Sequence, residues 1–383
     1  MPDSIMPRVY TLFSCLQILA ACSFCFLPPP PSRSAQDVIL RMPPEAVFRQ
    51  ALENAADGQT VTIETPPEGW TIRLSTALAV KNVNRFSLIS KPGPTYLVGD
   101  QLAYINCSLI RHENFAHRHH GGDDFATIAR EIMKSDGMDG RGLVISDCQD
   151  VTVSRCSFAI CADDMAGCGG LSTRRINYER CLFSMPVGVY GQGLLIWTSK
   201  DRIAHIDNLA RIDRCVFSNV TYRTPKLEGG FCLVTNCVIA GNMYPIELRE
   251  PDVVFAGCMF APDPRMGRRV IAHTAKPADV KRLGLFGNWY RGLGPSSERI
   301  DHVPNDQWSV LVGSVRGVID KQNVMPRAGE TLRDEWNLKM TPEIARSIIN
   351  QAGPSVTDDI DQLAKSLALR HCGLEQKLMP TRR

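Results

Sequence analysis

Short apolar segments that alternate with polar residues recur between Asp139 and Pro262. Each segment has a few strand-like residues, then a cysteine, then two residues that are mostly apolar, as in Val153-Ser154-Arg155-Cys156-Ser157-Phe158. Period-two alternation and enrichment in Val, Ile and Phe predict short strands. The same pattern surrounds four further cysteines, and one earlier copy is predicted: Cys181, Cys215, Cys237, Cys258 and, earlier, Cys107.

The spacing of these cysteines indicates a repeat. Successive steps from Cys156 to Cys258 are 25, 34, 22 and 21 residues, so one short period recurs with insertions. Periods of roughly 20 to 50 residues are typical of solenoid proteins. We therefore predict an all-β fold, a parallel β-helix whose stacked coils align the cysteines into a ladder.

The cysteine ladder has two interpretations. Free cysteine is among the most often buried residues and packs as a small hydrophobe, so a row inside the solenoid needs no chemistry. A metal site would need closely spaced pairs of the C-x-x-C type, and the repeat contains none. We favour the packing interpretation.

Helical patterns flank the predicted solenoid. Pro44 to Ala56 has apolar residues at helical spacing and is followed by Asp57-Gly58, so we predict a helix that caps the first coil. Pro342 to Gln351 and Asp358 to Leu369 predict two further helices that pack against the coil. The predicted division is a leader and spacer in residues 1–35, a β-helix in 36–290, and a covering segment with the helices in 291–383.

The N-terminus resembles an export signal. An apolar run from Val9 to Leu27 follows Arg8 and precedes a proline run. Within it, Leu19-Ala20-Ala21-Cys22 resembles a bacterial lipoprotein cleavage box, which would make Cys22 a lipid anchor; cleavage near Ala35 is the alternative. We predict a secreted or bacterial cell-envelope protein, with a membrane contact only through that anchor.

Composition excludes little else. A net charge of +3 with 22% charged residues gives no reason to expect nucleic acid as a partner, and no basic stripe occurs. Export permits disulfides, yet eleven cysteines follow the proline run, an odd number that leaves at least one unpaired within the chain. We expect a monomer.

A polar segment from His112 to Met138 breaks the strand pattern. It contains His117, His119 and His120 beside Asp123 and Asp124. Those residue types can bind a metal, but the spacing matches no specific motif. We therefore favour a solvated loop followed by a short helix.

Three stretches of the chain match known motifs. Asp150 to Phe158 followed by Asp163-Asp164 is similar to the motif C-S-F-S-W-x-T-D-E with its preceding strand. Tyr190 to Ile196 resembles H-x-Y-G-S-L-I, and Arg223-Thr224-Pro225 between two strand segments resembles an R-x-P element. Together these motifs resemble those of the pectate lyases of polysaccharide lyase family 1. The resemblance covers residues 45 to 372 and implies a right-handed parallel β-helix.

The resemblance also implies a reaction, β-elimination in an acidic uronan such as polygalacturonate. In the family the arginine of R-x-P is the base, which maps to Arg223, and Ca²⁺ links substrate to protein carboxylates. We predict Asp139, Asp163 and Asp164 as metal ligands, and Lys226, Arg141 and Tyr190 as substrate-binding residues. An arginine has an unperturbed pKa of about 12.5 or more, so it acts as a base only where neighbouring cations disfavour its charge.

This chain departs from the family at the metal site. Arg141 aligns where many members have an acidic calcium ligand. Cys168 aligns with another acidic position, and Gly188 aligns with a lysine that binds substrate in the family. Fewer hard ligands weaken calcium binding. One hypothesis is that Arg141 takes the place of the cation, because guanidinium matches carboxylate geometry.

Other interpretations remain open at this stage. Arg223 could pair with Asp213 or Glu228, and Asp163-Asp164 could be a solvated turn. The protein could be a non-catalytic β-helix that binds acidic polysaccharide or acts as a surface adhesin. A hydrolase with paired carboxylates is the weakest candidate.

Overall fold

The computed structural model describes a β-strand solenoid within the unit Ala35–Arg383. The described residues are 36–119, 141–161, 163–186, 192–197, 209–222, 224–243, 246–249, 252–263, 271–273, 282–290 and 340–375.

The described strands form three parallel sheets. The ten-stranded sheet contains β1 (Val38–Arg41), β2 (Thr60–Thr65), β5 (Ser87–Pro92), β8 (Ser108–Glu113), β11 (Gln149–Ser154), β14 (Arg174–Glu179), β17 (Ala210–Asp213), β20 (Phe231–Thr235), β23 (Asp252–Ala256) and β26 (Arg282–Phe286). The nine-stranded sheet contains β3 (Trp70–Leu74), β6 (Thr95–Gly99), β9 (Phe115–Arg118), β12 (Ser157–Ala159), β15 (Leu182–Ser184), β18 (Val216–Ser218), β21 (Val238–Ala240), β24 (Met259–Ala261) and β27 (Trp289–Tyr290). The eight-stranded sheet contains β4 (Leu78–Lys81), β7 (Leu102–Ile105), β10 (Leu143–Ser146), β13 (Asp164–Gly169), β16 (Gln192–Trp197), β19 (Lys226–Glu228), β22 (Ile246–Arg249) and β25 (Ile271–His273).

The chain visits the three sheets in turn, and each strand pairs in parallel with its counterpart one coil away. For example, β11 pairs with β8 and β14, β12 with β9 and β15, and β13 with β10 and β16. This arrangement is a parallel β-helix, as predicted. In-register stacking places equivalent side chains of successive coils above one another.

Aromatic rings stack inside the solenoid. Phe158, Phe183 and Phe217 lie on successive strands of the nine-stranded sheet, with ring centroids 5.0 and 4.8 Å apart and nearly parallel planes. His117 extends the stack by one coil, at 4.8 Å from Phe158. All four side chains are buried. The core therefore runs continuously along the axis.

The cysteine ladder lies at the corner between the ten- and nine-stranded sheets. Its five members are free and buried, which confirms the packing interpretation: Cys156, Cys181, Cys215, Cys237 and Cys258. The residue before each cysteine has a positive φ, from 51° at Arg155 to 59° at Gly257, and this turns the chain between strands. Each thiol donates to a carbonyl of the preceding coil, as Cys258 Sγ does to Val234 O at 3.4 Å.

The predicted copy at Cys107 was misplaced. Cys107 lies between β7 and β8, at the corner between the eight- and ten-stranded sheets, and stacks on Cys148, whose Sγ accepts from the Cys107 amide at 3.3 Å. The described coils therefore have two cysteine rows, at two corners. The pattern of strand, cysteine and apolar residues is similar at both corners, so the sequence did not separate them.

Helix α1 (Glu45–Glu53) covers the first coil, as predicted for a cap. Its buried residues Phe48 and Leu52 join the main core, and Glu45 accepts hydrogen bonds from Arg49 and Ser75. These bonds fix the helix to the segment after β3. The cap thus shields the otherwise open end of the stack.

Two helices at the C-terminal end lie over the nine-stranded sheet. Helix α2 (Pro342–Gln351) begins after Thr341, whose hydroxyl accepts from the Ile344 amide, and helix α3 (Asp359–His371) begins after Asp358. Apolar residues of both helices form a second cluster with outward residues of the sheet, including Val216 and Val238. The prediction that these helices pack on the coil is confirmed.

The prediction of a loop beginning at His112 was wrong for the described part of that segment. Strands β8 and β9 continue to Arg118, and His112 and His117 are buried. The two imidazoles are joined by a hydrogen bond of 3.0 Å between their Nε2 atoms, and Tyr104 Oη contacts His112 Nδ1 at 3.0 Å. These polar residues satisfy one another, so they occupy core positions that polarity alone would not predict. His120, Asp123 and Asp124 lie outside the described residues.

No helix in the described part of the chain is long and apolar enough to cross a membrane. The predicted export signal and Cys22 lie outside the described residues.

Candidate functional site

The structure describes four of the seven predicted site residues: Arg141, Asp163, Asp164 and Lys226. All four lie on or next to strands of the eight-stranded sheet. Arg141 precedes β10, Asp163 directly precedes β13, Asp164 begins β13, and Lys226 begins β19. Arg223, Tyr190 and Asp139 lie outside the described residues.

Arg141 and Asp163 form an ion pair between consecutive coils. Arg141 Nε donates to Asp163 Oδ2 at 3.1 Å, and the Arg141 side chain is 44% exposed against 14% for Asp163. The guanidinium therefore keeps N–H groups available to solvent while it neutralises the carboxylate. Asp164 is buried at the start of β13.

The donor set around Arg141 does not fit a calcium ion. Calcium takes six to eight oxygen ligands and favours several carboxylates. Here one of the two described carboxylates already contacts a guanidinium. Among the described residues, no group of three or more metal-binding side chains comes together.

A row of polar residues runs across three coils at this end of the sheet. Asp164 pairs in register with Gln192 at the start of β16, and Gln192 forms a bridge with Tyr222. Tyr222 and Thr224 are the immediate neighbours of Arg223 in the sequence. The row therefore places Tyr222 two coils from Asp164 along the same sheet.

Two members of this region have unpaired polar atoms. Gln192 is 7% exposed and Thr224 fully buried, yet within the described residues Gln192 Oε1 and Thr224 Oγ1 have no hydrogen-bond partner. Buried polar atoms without partners are uncommon in native proteins and call for an explanation such as a bound ligand or water. Both residues lie inside motifs quoted for the family resemblance, but neither was predicted as a site residue, because a lone Gln or Thr carries no spacing signal.

Lys226 lies on the outer face of the sheet between two carboxylates. Its Nζ is 2.6 Å from Glu228 Oε1 and 3.6 Å from Glu247 Oε1. Lys226 and Glu247 are register partners on adjacent coils. The ammonium is therefore fixed in position, with its charge balanced by protein groups.

Trp197 is an exposed aromatic residue at the other end of β16. Its side chain is 40% exposed, whereas its neighbour Ile196 is buried in the core. The indole lies over Gly169 of β13: a Cβ at Gly169 would fall 2.0 Å from Trp197 Nε1. Sequence reasoning missed this contact, because it joins two coils through a residue without a side chain.

Comparison with known proteins gives structural matches only. No protein-family model and no curated protein sequence matches the chain. Among solved structures, the pectate lyase PelN of Paenibacillus sp. 0602 matches with a TM-score of 0.57 and 11% identity, over 86% of this chain and 94% of that one. The pectate lyase Bsp165PelA of Bacillus sp. N165, solved with trigalacturonate, matches with a TM-score of 0.56 and 11% identity, over 85% of this chain and 96% of that one.

Another solved structure that matches is Jun a 1, the major allergen of cedar pollen, with a TM-score of 0.52 and 12% identity over 84% of this chain and 89% of that one. The chain has the pectate lyase fold. Its β-helix is thus right-handed, as predicted, and the match extends over most of the chain. Identity this low shows the fold and leaves the activity to be argued from the site.

Proposed function

We propose that this protein is a polysaccharide lyase that cleaves an acidic uronan by β-elimination, with Arg223 as the base. The observation that carries the proposal is the polar row on the eight-stranded sheet. It combines the Arg141–Asp163 pair and Asp164 with Gln192 and with Tyr222, which precedes Arg223. The pectate lyase fold and the R-x-P element at this position support it.

The chemistry requires a base and a cation. The proton on C5 of a uronate lies next to a carboxylate and is only weakly acidic, so its removal needs a base and stabilisation of the enolate-like intermediate. A cation close to Arg223 lowers the pKa of its guanidinium and favours the neutral form that accepts a proton. In this proposal Arg141, which precedes β10, is the cation that pairs with the substrate carboxylate and stabilises the intermediate; it lies three strands from β19 and is not the group that shifts the pKa of Arg223.

Arg141 fits the role of a built-in cation. Its Nε binds Asp163, and the half-exposed guanidinium has further N–H groups that can bind a substrate carboxylate. Lys226, held by Glu228 and Glu247, supplies a second positive group on the same sheet. We therefore expect activity without added calcium.

The test is the ultraviolet absorbance of unsaturated product ends during incubation of the purified protein with polygalacturonate. We expect a rise that survives a calcium chelator and disappears in Arg223→Ala. Arg155→Ala removes an exposed arginine at the corner between the other two sheets and should leave the rate unchanged. A flat trace for the wild-type protein on several uronans would refute the lyase.

The alternative is a non-catalytic β-helix that binds acidic polysaccharide. The observation that favours it is the pairing of Arg141 and Lys226 with carboxylates of the protein itself. Binding of polygalacturonate with no increase in absorbance would support this alternative.

We also propose that the protein is exported, on the basis of the apolar N-terminal run. The mass of the mature N-terminus distinguishes a lipid-modified Cys22 from cleavage near Ala35. An intact N-terminus in the native host would contradict export through this signal.

A further inference from the structure

Cys107 and Cys148 form a pair that is separate from the five-membered cysteine ladder. They lie at the corner between the eight- and ten-stranded sheets, on consecutive coils. Backbone hydrogen bonds and strand register place Val83 before Cys107 in this row and Thr173 after Cys148. Each of these two thiols therefore has one cysteine neighbour in its row, so only one pairing is available there.

The backbone holds the two cysteines at a distance that suits a disulfide. The strand residues on either side of them are paired in register, so the cysteines lie level with each other. Neighbouring strands are about 4.8 Å apart, and disulfides join Cα atoms that are roughly 4.4 to 6.8 Å apart. Cys148 Sγ lies 3.3 Å from the amide nitrogen of Cys107, so it points towards its neighbour.

Cys107 is the more reactive of the two. It is the only one of the eleven described cysteines with any measurable exposure, 2%, while the other ten are fully buried. The hydrogen bond from Cys148 lowers the pKa of Cys107 to about 7, and the same bond raises the pKa of Cys148. The thiolate is the form that attacks a disulfide. Cys107 is therefore the attacking group, and Cys148 is the group that completes the exchange.

We propose that Cys107 and Cys148 form a disulfide bond when the protein folds in an oxidising compartment. The oxidant is a small disulfide such as oxidised glutathione. The Cys107 thiolate attacks one of its sulfurs and releases one glutathione thiolate. The Cys148 thiol then loses its proton, and its sulfur attacks the Cys107 sulfur and releases the second. Overall, two protein thiols lose two electrons and two protons, and the oxidant gains them as two glutathione thiols.

The bond joins the ends of β7 and β10 in the sheet that carries the proposed site. The two cysteines are 41 residues apart in the chain, and Arg141 lies between them. Closing so long a loop restricts the unfolded chain and thereby stabilises the folded protein. The inference concerns folding and oxidation, so it stands or falls independently of the lyase activity.

Mass spectrometry of the protein refolded in a glutathione redox buffer tests the bond. Free thiols are blocked with iodoacetamide in denaturant before digestion. We expect one pair of peptides linked through Cys107 and Cys148, with the blocking group on the cysteines of the ladder. Reduction should remove the link and lower the melting temperature by roughly 5 °C, the size expected for a loop of this length.

Three variants locate the bond. Cys107→Ser and Cys148→Ser should each abolish the link and the difference in melting temperature between oxidised and reduced protein. Cys258→Asn removes a thiol from the cysteine ladder and should keep both. The peptide map of the wild-type protein decides the question even if a serine variant fails to fold.

The blocking of both Cys107 and Cys148 in the refolded wild-type protein would overturn the proposal. A link between two cysteines of the ladder in place of this pair would overturn it as well. So would a link between two protein molecules, because the proposed bond lies within one chain.

Discussion

At the corner between the ten- and nine-stranded sheets, Asn288 takes the position that Cys258 has one coil earlier. Its Nδ2 donates to Phe255 O at 3.0 Å, and its Oδ1 accepts from the Cys258 amide at 2.7 Å. The thiol of Cys258 makes the corresponding bond to Val234 O. The cysteines therefore act at this corner as small hydrogen-bonding residues.

This equivalence predicts that asparagine can replace a ladder cysteine. We expect Cys258→Asn to leave the free energy of unfolding unchanged or to raise it by up to about 1 kcal/mol, because an amide bonds more strongly than a thiol. Cys258→Val has a similar size but no donor, so it should destabilise by about 1 kcal/mol. Urea denaturation measures both, and equal stability of the two variants would contradict the hydrogen-bonding role.

The buried histidine pair makes stability depend on pH. Burial lowers the pKa of His117 to about 3, and burial together with His117 lowers the pKa of His112 well below its ordinary value. Both rings are therefore neutral in the folded protein. In the unfolded chain they titrate near pH 6.5.

A group with a lowered folded pKa contributes stability above its unfolded pKa and loses it as the pH falls towards the folded pKa. Below about pH 6.5, each histidine should therefore lower the free energy of unfolding by about 1.4 kcal/mol for every pH unit. His117→Phe continues the ring stack with Phe158, and from pH 7 to 5 it should lose about 2 kcal/mol less stability than the wild type. Denaturant titrations at the two pH values measure this, and parallel losses would show that His117 is not the titrating group.

At the level of elements, helix α3 is fixed to the coil by buried charges. Arg118 of β9 contacts Asp361 at 2.8 Å and Asp358 at 3.1 Å, and the Arg118 and Asp361 side chains are 4% and 0% exposed. Burial raises the pKa of Asp361, and the charge of Arg118 opposes that rise. Asp358 also caps the helix by accepting from the Asp361 amide.

Removing one partner of this buried pair should release the helix. We expect Asp361→Asn to lower the free energy of unfolding by about 3 kcal/mol, because Arg118 keeps its charge without its closest carboxylate. Hydrogen exchange should then rise across α3. Asp359→Asn, an exposed change in the same helical turn, is the matched control and should have little effect. Unaltered exchange in Asp361→Asn would show that apolar packing alone holds α3.

The sequence predicted helices and strands well where the apolar residues follow a single helical or strand period. Helix α2 has the bounds that Thr341-Pro342 and the apolar spacing indicated, and α3 differs by one or two residues at its ends. The strand at Phe115–Arg118 was missed because its histidines and arginine are polar. Burial is possible because His112 on the preceding strand binds Tyr104 and Arg118 binds Asp361. Asp361 lies 243 residues after Arg118, so no local pattern could reveal that pair.

At the scale of the whole molecule, stacking assembles the site from coils that are far apart in the sequence. The sequence reasoning pointed to Arg141, Asp163, Asp164 and Lys226. The eight-stranded sheet brings Arg141 and Asp163 into contact on neighbouring coils and places Lys226 two coils beyond β13. The sequence reasoning could not identify Gln192, Gly169 or Trp197, because their significance lies in register with other coils. Arg223 and Tyr190 stay predictions.

The same stacking predicts how the site could be changed into a calcium site. Arg141→Glu would place a third carboxylate beside Asp163 and Asp164, and calcium favours such clusters of oxygen ligands. We expect this variant to bind calcium measurably by calorimetry and the wild-type protein not to. Any activity of the variant on polygalacturonate should then require calcium.

Arg141→Gln is the matched control, because it removes the positive charge without adding a carboxylate. It should neither bind calcium nor retain uronan binding, since no cation then faces the substrate carboxylate. Calcium-dependent activity in the wild-type protein would contradict the role given to Arg141. Full activity in Arg141→Gln with a chelator present would contradict it equally, because the reaction would then proceed with neither cation.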